Sequence, residues 1–100
     1  MKVSVQTPNF DADQKLINFI QKKLDKLEQY YDRIIFADVF LKVQNTKSRE
    51  NKIVEIFLSV PGDEIIVKKL AKSFEEGTDN CAQSLERWLL KRKHKIRAIA

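Results

Sequence analysis

Residues 52–72 read KIVEIFLSVPGDEIIVKKLAK, and they contain the clearest strand and turn signals of the chain. Its first nine residues alternate in character, which predicts a half-buried β-strand over Lys52–Val60. One face of that strand is entirely apolar: Val54, Ile56, Leu58 and Val60. Pro61 and Gly62 favour a tight turn, so a further strand over Glu64–Lys72 is predicted to fold back antiparallel. The inward face of this further strand stays open between two sets: Ile65, Val67 and Ala71, or Ile66 and Leu70.

A strand with the same alternation precedes the hairpin, over Ile34–Val43. One of its faces is apolar throughout and is predicted to point inward: Ile35, Ala37, Val39, Leu41 and Val43. The other face is predicted to point outward: Ile34, Phe36, Asp38, Phe40 and Lys42. The polar segment Gln44–Asn51 predicts a hairpin loop, which joins the three strands into an antiparallel meander.

Two amphipathic helices flank the meander. Between Asp13 and Tyr31 the apolar residues recur at steps of three and four, which predicts a helix. Its N-cap is either Asp13 or Asp11, the latter in a capping box with Gln14. Ser73 followed by Glu76 is a second capping-box pattern. It predicts the start of a last helix, which runs to about residue 93 and ends in a frayed tail.

The alternation over Lys2–Thr7 predicts a short first strand, so the element order is β-α-β-β-β-α. A helix separates the first two strands, which allows them to pair in parallel through a right-handed crossover. Both helices need an apolar surface, and the apolar face of the sheet supplies it. We therefore predict an α+β fold, a two-layer sandwich of a four-stranded sheet with two helices on one face. Residues 1–100 are predicted to form a single domain with a basic tail from about residue 91.

Composition excludes several classes of protein. The 100 residues contain 43% hydrophobic and 33% charged residues, which is typical of a folded domain. One cysteine and one histidine leave no disulfide framework and no Cys- or His-based metal site. No phosphate-binding glycine loop or nucleophile motif is present, so we expect no enzyme activity and no cofactor. The apolar runs are too short to cross a bilayer, so we expect no membrane partner. The single cysteine fits a reducing compartment, so we expect a cytoplasmic protein.

The positive charge is concentrated at the end of the last predicted helix. Residues 87–97 contain six basic residues and no acidic one, whereas the rest of the chain has 13 basic and 14 acidic residues. Arg87, Lys91 and Lys95 fall on one helical stripe, where like charges repel each other. The segment is either a solvated helix end that complements the helix dipole or a contact for a polyanion. Lys22 and Lys26 of the first helix are predicted to extend such a contact.

Other residues that could carry chemistry have structural interpretations. Cys81 and Trp88 lie on the apolar stripe of the last helix and are predicted to be core residues. Gly77 fits close packing, or else backbone approach to a phosphate. His94 has only cations around it in sequence and lacks an orienting partner for catalysis. On the outer sheet face, Phe36, Phe40 and Phe57 are either cross-strand pairs or a surface for weak self-association.

The element order and two helix segments resemble the ribosome hibernation-promoting factor family, also called ribosome-associated inhibitors. The first segment is Leu24-Asp25-Lys26-Leu27-Glu28. The second is Ser84-Leu85-Glu86-Arg87-Trp88-Leu89-Leu90-Lys91, followed by Lys93, His94 and Lys95. The resemblance implies a fold similar to double-stranded RNA-binding domains. Because the sequence ends at Ala100, the chain resembles the short form of the family.

The resemblance also implies the partner: the small ribosomal subunit and its rRNA, with the body of the protein blocking the channel for messenger and transfer RNA. Translation would be inhibited without chemistry during starvation or stationary phase. The basic helix residues of the family correspond to Lys26, Arg87, Lys91 and Lys95, and Lys22, Lys23, Arg92 and Lys93 extend this predicted RNA-binding surface. The alternatives are a general double-stranded RNA-binding module and a protein-interaction module that dimerises through the outer sheet face.

Overall fold

A computed structural model describes residues 1–8, 10–45, 47 and 50–99, with side chains in the last helix as far as His94. The elements follow the predicted order: β1 Lys2–Gln6, α1 Gln14–Asp25, β2 Phe36–Val43, β3 Lys52–Val60, β4 Asp63–Ala71 and α2 Phe74–Ile99. A 3₁₀ helix, Lys26–Gln29, continues from α1.

The four strands form one sheet in the order β1-β2-β3-β4. The edge strand β1 pairs in parallel with β2, and Val3 lies beside Ala37. The β2–β3 and β3–β4 pairs are antiparallel, with Val39 beside Ile56 and Ile56 beside Val67. The predicted α+β sandwich and its parallel first pair are therefore confirmed.

The core lies between one face of the sheet and the two helices. The sheet contributes residues that are almost fully buried: Ala37, Val39, Leu41, Val54, Ile56, Leu58 and Val60. The helices contribute Ile20 and Leu24 from α1 and Cys81, Leu85 and Leu89 from α2, all completely buried. The apolar residues that recur every 3.6 positions in the helices thus pack against those that recur every second position in the strands, in one apolar layer.

Local capping fixes where both helices begin. The Asp13 carboxylate accepts a hydrogen bond from the Leu16 amide at 2.8 Å, so Asp13 is the N-cap of α1. The Ser73 hydroxyl accepts one from the Glu76 amide at 3.1 Å, as the capping box predicts. The Glu76 carboxylate accepts from the amide of Lys72, one residue before the position expected for the box.

Both helices end differently from the prediction. The first one tightens into the 3₁₀ helix after Asp25 instead of continuing as an α-helix to Tyr31. The second one continues to Ile99, past the expected end near residue 93. No glycine or proline interrupts residues 94–99, and cations are favoured at a helix C-terminus, so nothing local stops the helix.

Two strand predictions are also resolved. Residues 34 and 35 precede β2 instead of belonging to it, so the predicted alternation is wrong there: Ile34 is buried, and 53% of Ile35 is exposed. The Ile35 amide donates to the Ser59 carbonyl, which holds this entry segment beside β3.

On β4, Val67 and Ala71 point inward, whereas Ile66 and Leu70 are exposed. In the part of the chain that the structure describes, no helix is long and apolar enough to span a membrane.

Candidate nucleic-acid interface

The outer face of α2 presents two of the predicted cations together. Arg87 and Lys91 lie one helical turn apart and are both exposed, whereas Leu85 and Leu89 face the core. The Arg87 guanidinium donates a weak hydrogen bond to the Ser84 hydroxyl at 3.4 Å. Neither cation takes part in the ion pairs that the described side chains form. Lys95 is the next position along the stripe, and its side chain lies outside the described residues.

The end of α1 presents a second pair in the same way. Lys22 and Lys26 are one turn apart and exposed, on the side of the helix away from the buried Ile20 and Leu24. Lys23 lies between them and is half-buried, because its ammonium group reaches the Asp79 carboxylate of α2 at 3.0 Å. The same ammonium group lies 5.4 Å from the centre of the Phe19 ring. The protein's own groups therefore already neutralise the charge of Lys23 in part.

The groove between the helices has mixed charge. It has a volume of about 290 Å³, and Lys23 and Lys26 face Asp79 and Glu86 across it. A hydrogen bond to the Glu86 carboxylate, and the charge of that carboxylate, raise the pKa of Tyr30 in the same groove. The cations of α1 and α2 are therefore separated by acidic side chains instead of forming one unbroken basic surface.

Arg92 and Lys93 point away from the Arg87 and Lys91 face, because each residue turns the helix by about 100°. The Arg92 guanidinium bonds to the Asp63 carboxylate at 2.9 Å and to the Pro61 carbonyl at 2.8 Å, at the turn between β3 and β4. Lys93 points to the other side and lines a cleft of about 450 Å³ beside the 3₁₀ helix. The predicted cations on α2 thus face three directions.

Sequence inspection missed one cation and one partner carboxylate at this end of the molecule. Arg33 lines the cleft together with Lys93, Tyr30 and Tyr31. Asp63, which follows the Pro61–Gly62 turn, pairs with Arg92. The Arg92–Asp63 bond joins residues 29 positions apart, and no spacing rule indicates a contact of that kind.

The other candidate residues have structural roles. Cys81 is fully buried, and burial raises the pKa of its thiol to about 12. A Cβ atom on Gly77 would lie 2.6 Å from the Val54 side chain, so the glycine permits close packing of α2 on the sheet. Trp88 packs against the core, with the Arg92 guanidinium 5.8 Å from the centre of its ring. His94 is exposed. The described residues contain no group of three or more side chains suited to a metal ion.

The comparisons with known proteins agree with this fold. The family model described as sigma 54 modulation protein / S30EA ribosomal protein matches residues 3–97. The chain belongs to this family. Relatives named ribosome hibernation promoting factor also match the chain, so the resemblance that the sequence suggested is confirmed.

Curated relatives carry a consistent name. The ribosome hibernation promoting factor of Escherichia coli strain K12 is 30% identical over 97 residues, which cover 97% of this chain and 98% of the relative. The protein of the same name from Pseudomonas putida is 26% identical over 99 residues, covering 99% of this chain and 93% of the relative. A Deinococcus radiodurans ribosome hibernation promotion factor is 30% identical over 86 residues, and the match covers 45% of that relative.

Solved structures share the fold. A ribosomal subunit interface protein from Coxiella burnetii has a TM-score of 0.82 at 21% identity, covering 94% of this chain and 99% of that one. The N-terminal domain of Thermus thermophilus Protein Y has a TM-score of 0.79 at 21% identity, covering 91% and 98% of the two chains. Each similarity covers more than nine-tenths of this chain, so it supports the fold described above.

Proposed function

We propose that this protein inhibits translation by binding the small ribosomal subunit in the cytoplasm. The family match over residues 3–97, with relatives named ribosome hibernation promoting factor, carries the proposal. In this mechanism the cations contact rRNA phosphates and the folded body obstructs the channel for messenger and transfer RNA. Binding alone inhibits, so the mechanism needs neither a cofactor nor a chemical step.

The exposed cations support an rRNA contact. Arg87 and Lys91 repel each other at their i, i+4 spacing, and a bound phosphate relieves that repulsion. Each neutralised phosphate also releases counterions, which makes binding favourable and dependent on salt. A rigid helical surface suits RNA that is recognised by its shape and backbone. The contact surface therefore centres on Arg87, Lys91 and Lys95. Lys22 and Lys26 form a second exposed pair across the groove of mixed charge, and Lys93 faces the cleft beside the 3₁₀ helix.

A charge reversal tests the surface directly. The variant with Arg87→Glu, Lys91→Glu and Lys95→Glu is expected to lose co-sedimentation with purified small subunits across a salt series. Its circular dichroism should match that of the wild type, because Arg87 and Lys91 are exposed. The matched control replaces Lys2, Lys42 and Lys68 with Glu, since these exposed lysines lie on the opposite face of the sheet. If the first variant sediments with subunits as the control does at low salt, the proposed surface is wrong.

A general affinity for duplex RNA is separated from ribosome binding by competition. We expect a modest excess of plain RNA duplex to leave the protein on the small subunit. Displacement by that excess would instead identify a general double-stranded RNA-binding module.

The outer face of the sheet supports a second candidate function, self-association. The Phe36 and Phe57 rings stack there at 5.9 Å between centres, and Ile66 and Leu70 are 60% and 47% exposed. If this surface pairs two copies, Phe40→Lys should abolish dimers in sedimentation equilibrium and leave RNA affinity unchanged. A protein that is monomeric before the substitution contradicts this candidate.

A further inference from the structure

Arg92 is where α2 makes its last described bonds to the sheet. Among the described side chains of the helix, which end at His94, Leu89 is the last buried one, and Arg92 follows it by three positions on the same side. Its guanidinium reaches the turn between β3 and β4, at the point where β4 begins. The helix continues to Ile99, so its final residues extend past this contact.

The Arg92 side chain is occupied by these contacts. Nη1 donates to the Asp63 carboxylate and Nη2 to the Pro61 carbonyl, while Nε is buried without a hydrogen-bond partner among the described residues. The Trp88 ring lies beside the guanidinium, and only 23% of the side chain is exposed. A contact with an rRNA phosphate needs exposed donors, and these bonds leave few of them on Arg92. The arrangement therefore suits a structural contact.

An external contact of this kind stabilises the end of α2. Residues 90–99 contain five basic residues and no acidic one, so no carboxylate within the segment offsets their mutual repulsion. Asp63 is the carboxylate that forms an ion pair with this segment in the described part of the chain. It is the first residue of β4, so the contact joins the end of the helix to the sheet.

We propose that Arg92 is a positioning residue: together with Asp63 and Pro61 it fixes the last turns of α2, so that Lys91 and its neighbours are already in place for rRNA. The proposal rests on the proposed function. It assigns Arg92 a role distinct from that of the cations that contact phosphate. If the helix end were frayed, only a fraction of the molecules would present the binding conformation, and the apparent affinity would fall by that fraction.

The decisive substitution is Asp63→Asn, because the change in charge and the loss of the positioning contact predict opposite changes in affinity for the small subunit. Removing a carboxylate makes the protein more cationic, so simple attraction to a polyanion predicts tighter binding. Loss of the positioning contact predicts weaker binding. Asparagine retains an oxygen that can accept the Glu64 amide, as Asp63 does at 2.8 Å, so the turn itself is preserved. Glu64→Gln is the matched control, since it makes the same charge change at the adjacent exposed residue.

Two measurements on the full chain complete the test. Amide hydrogen exchange should become faster in residues 88–94 of Asp63→Asn and stay unchanged around Cys81 and in Glu64→Gln. Affinity for purified small subunits should fall about threefold if about a third of the molecules keep the helix end in place. The dependence of affinity on salt should match the wild type, because the number of phosphate contacts is unchanged. The affinity of Arg92→Lys should lie between those of the wild type and Asp63→Asn, since an ammonium group keeps the charge and loses the fork geometry.

Binding of Asp63→Asn as tight as that of Glu64→Gln would overturn the positioning role, as would unchanged exchange in residues 88–94. A reduced salt dependence in Arg92→Gln would also overturn it, because this variant removes the charge and a smaller slope would identify a direct phosphate contact. If the wild type itself does not bind small subunits, the proposed function fails. Hydrogen exchange then decides by itself whether Arg92 fixes the helix end.

Discussion

The two parts of α2 differ in what surrounds their charges. Residues 74–89, the anchor half, contain four acidic residues and one basic residue and supply the buried contacts with the sheet. Residues 90–99, the basic half, contain five basic residues and no acidic one. In the anchor half, Asp79 and Glu86 interact with Lys23 and Tyr30 of the neighbouring helical segment. One helix therefore combines a part that packs in the core with a part whose positive charge favours binding to an anionic partner.

The largest expected effect comes from the core of the anchor half. Leu85→Ala removes a completely buried side chain and should lower the free energy of unfolding by about 2–5 kcal/mol, measured by urea denaturation. Lys91→Ala is the control from the basic half and should change that free energy by less than about 0.5 kcal/mol while weakening ribosome binding. A large loss of stability in Lys91→Ala would show that the two halves do not divide these tasks.

Gly77 tests how closely the anchor half packs. Alanine has the higher helix propensity by about 1 kcal/mol, but its Cβ would meet Val54 Cγ2 at 2.6 Å. The Val54 side chain is branched and stiff, so the collision should prevail and Gly77→Ala should destabilise the protein by about 1–3 kcal/mol. Combining it with Val54→Ala should recover part of that loss in thermal denaturation. Losses that simply add would contradict the contact.

Cys81 makes the stability of the anchor half depend on pH. Burial raises the pKa of its thiol from 9.0 to about 12. Between these pH values the unfolded chain releases a proton that the folded chain keeps, so stability should fall by about 1.4 kcal/mol per pH unit. Below pH 9 the thiol is protonated in both states and contributes no slope. Cys81→Ala should remove this component, and equal slopes for the two proteins in urea denaturation at pH 9–11 would contradict it.

The smallest effect concerns the pair between Lys23 and Asp79. Both side chains are partly exposed, so Asp79→Asn should change stability by no more than about 1 kcal/mol. It releases the Lys23 ammonium group and should therefore tighten binding to small subunits slightly, the opposite of the result expected for Asp63→Asn. Weaker binding would mean that Asp79 also serves to orient its cation.

Local sequence signals predicted most of the fold. Asp13 and Ser73 mark helix starts through hydrogen bonds to residues only three positions away, and the turn at Pro61 and Gly62 fixes the β3–β4 hairpin. The inward face of β4 could not be chosen in the same way, because apolar residues occur on both of its faces. Packing of α2 against Val67 and Ala71 makes that choice, and it is a tertiary effect.

The candidate site was less predictable than the fold. The spacing of Arg87 and Lys91 correctly indicated a shared exposed face, because that property depends only on helical geometry. The partners of Lys23 and Arg92 could not be foreseen, since Asp79 and Asp63 come from other elements. Sequence counting therefore finds the cations of such a surface, and coordinates are needed to distinguish those that the protein already neutralises.

The parallel pairing of β1 with β2 has a consequence for how the chain acquires its structure during synthesis. β1 emerges first, but its partner strand begins at Phe36, so β1 has no neighbour while the first helix is being made. The β2–β3–β4 meander can form early from nearby segments, yet its apolar face stays wet until α2 is complete. We expect nascent chains that stop before residue 74 to bind chaperones, and cooperative folding to begin only after the last helix leaves the exit tunnel.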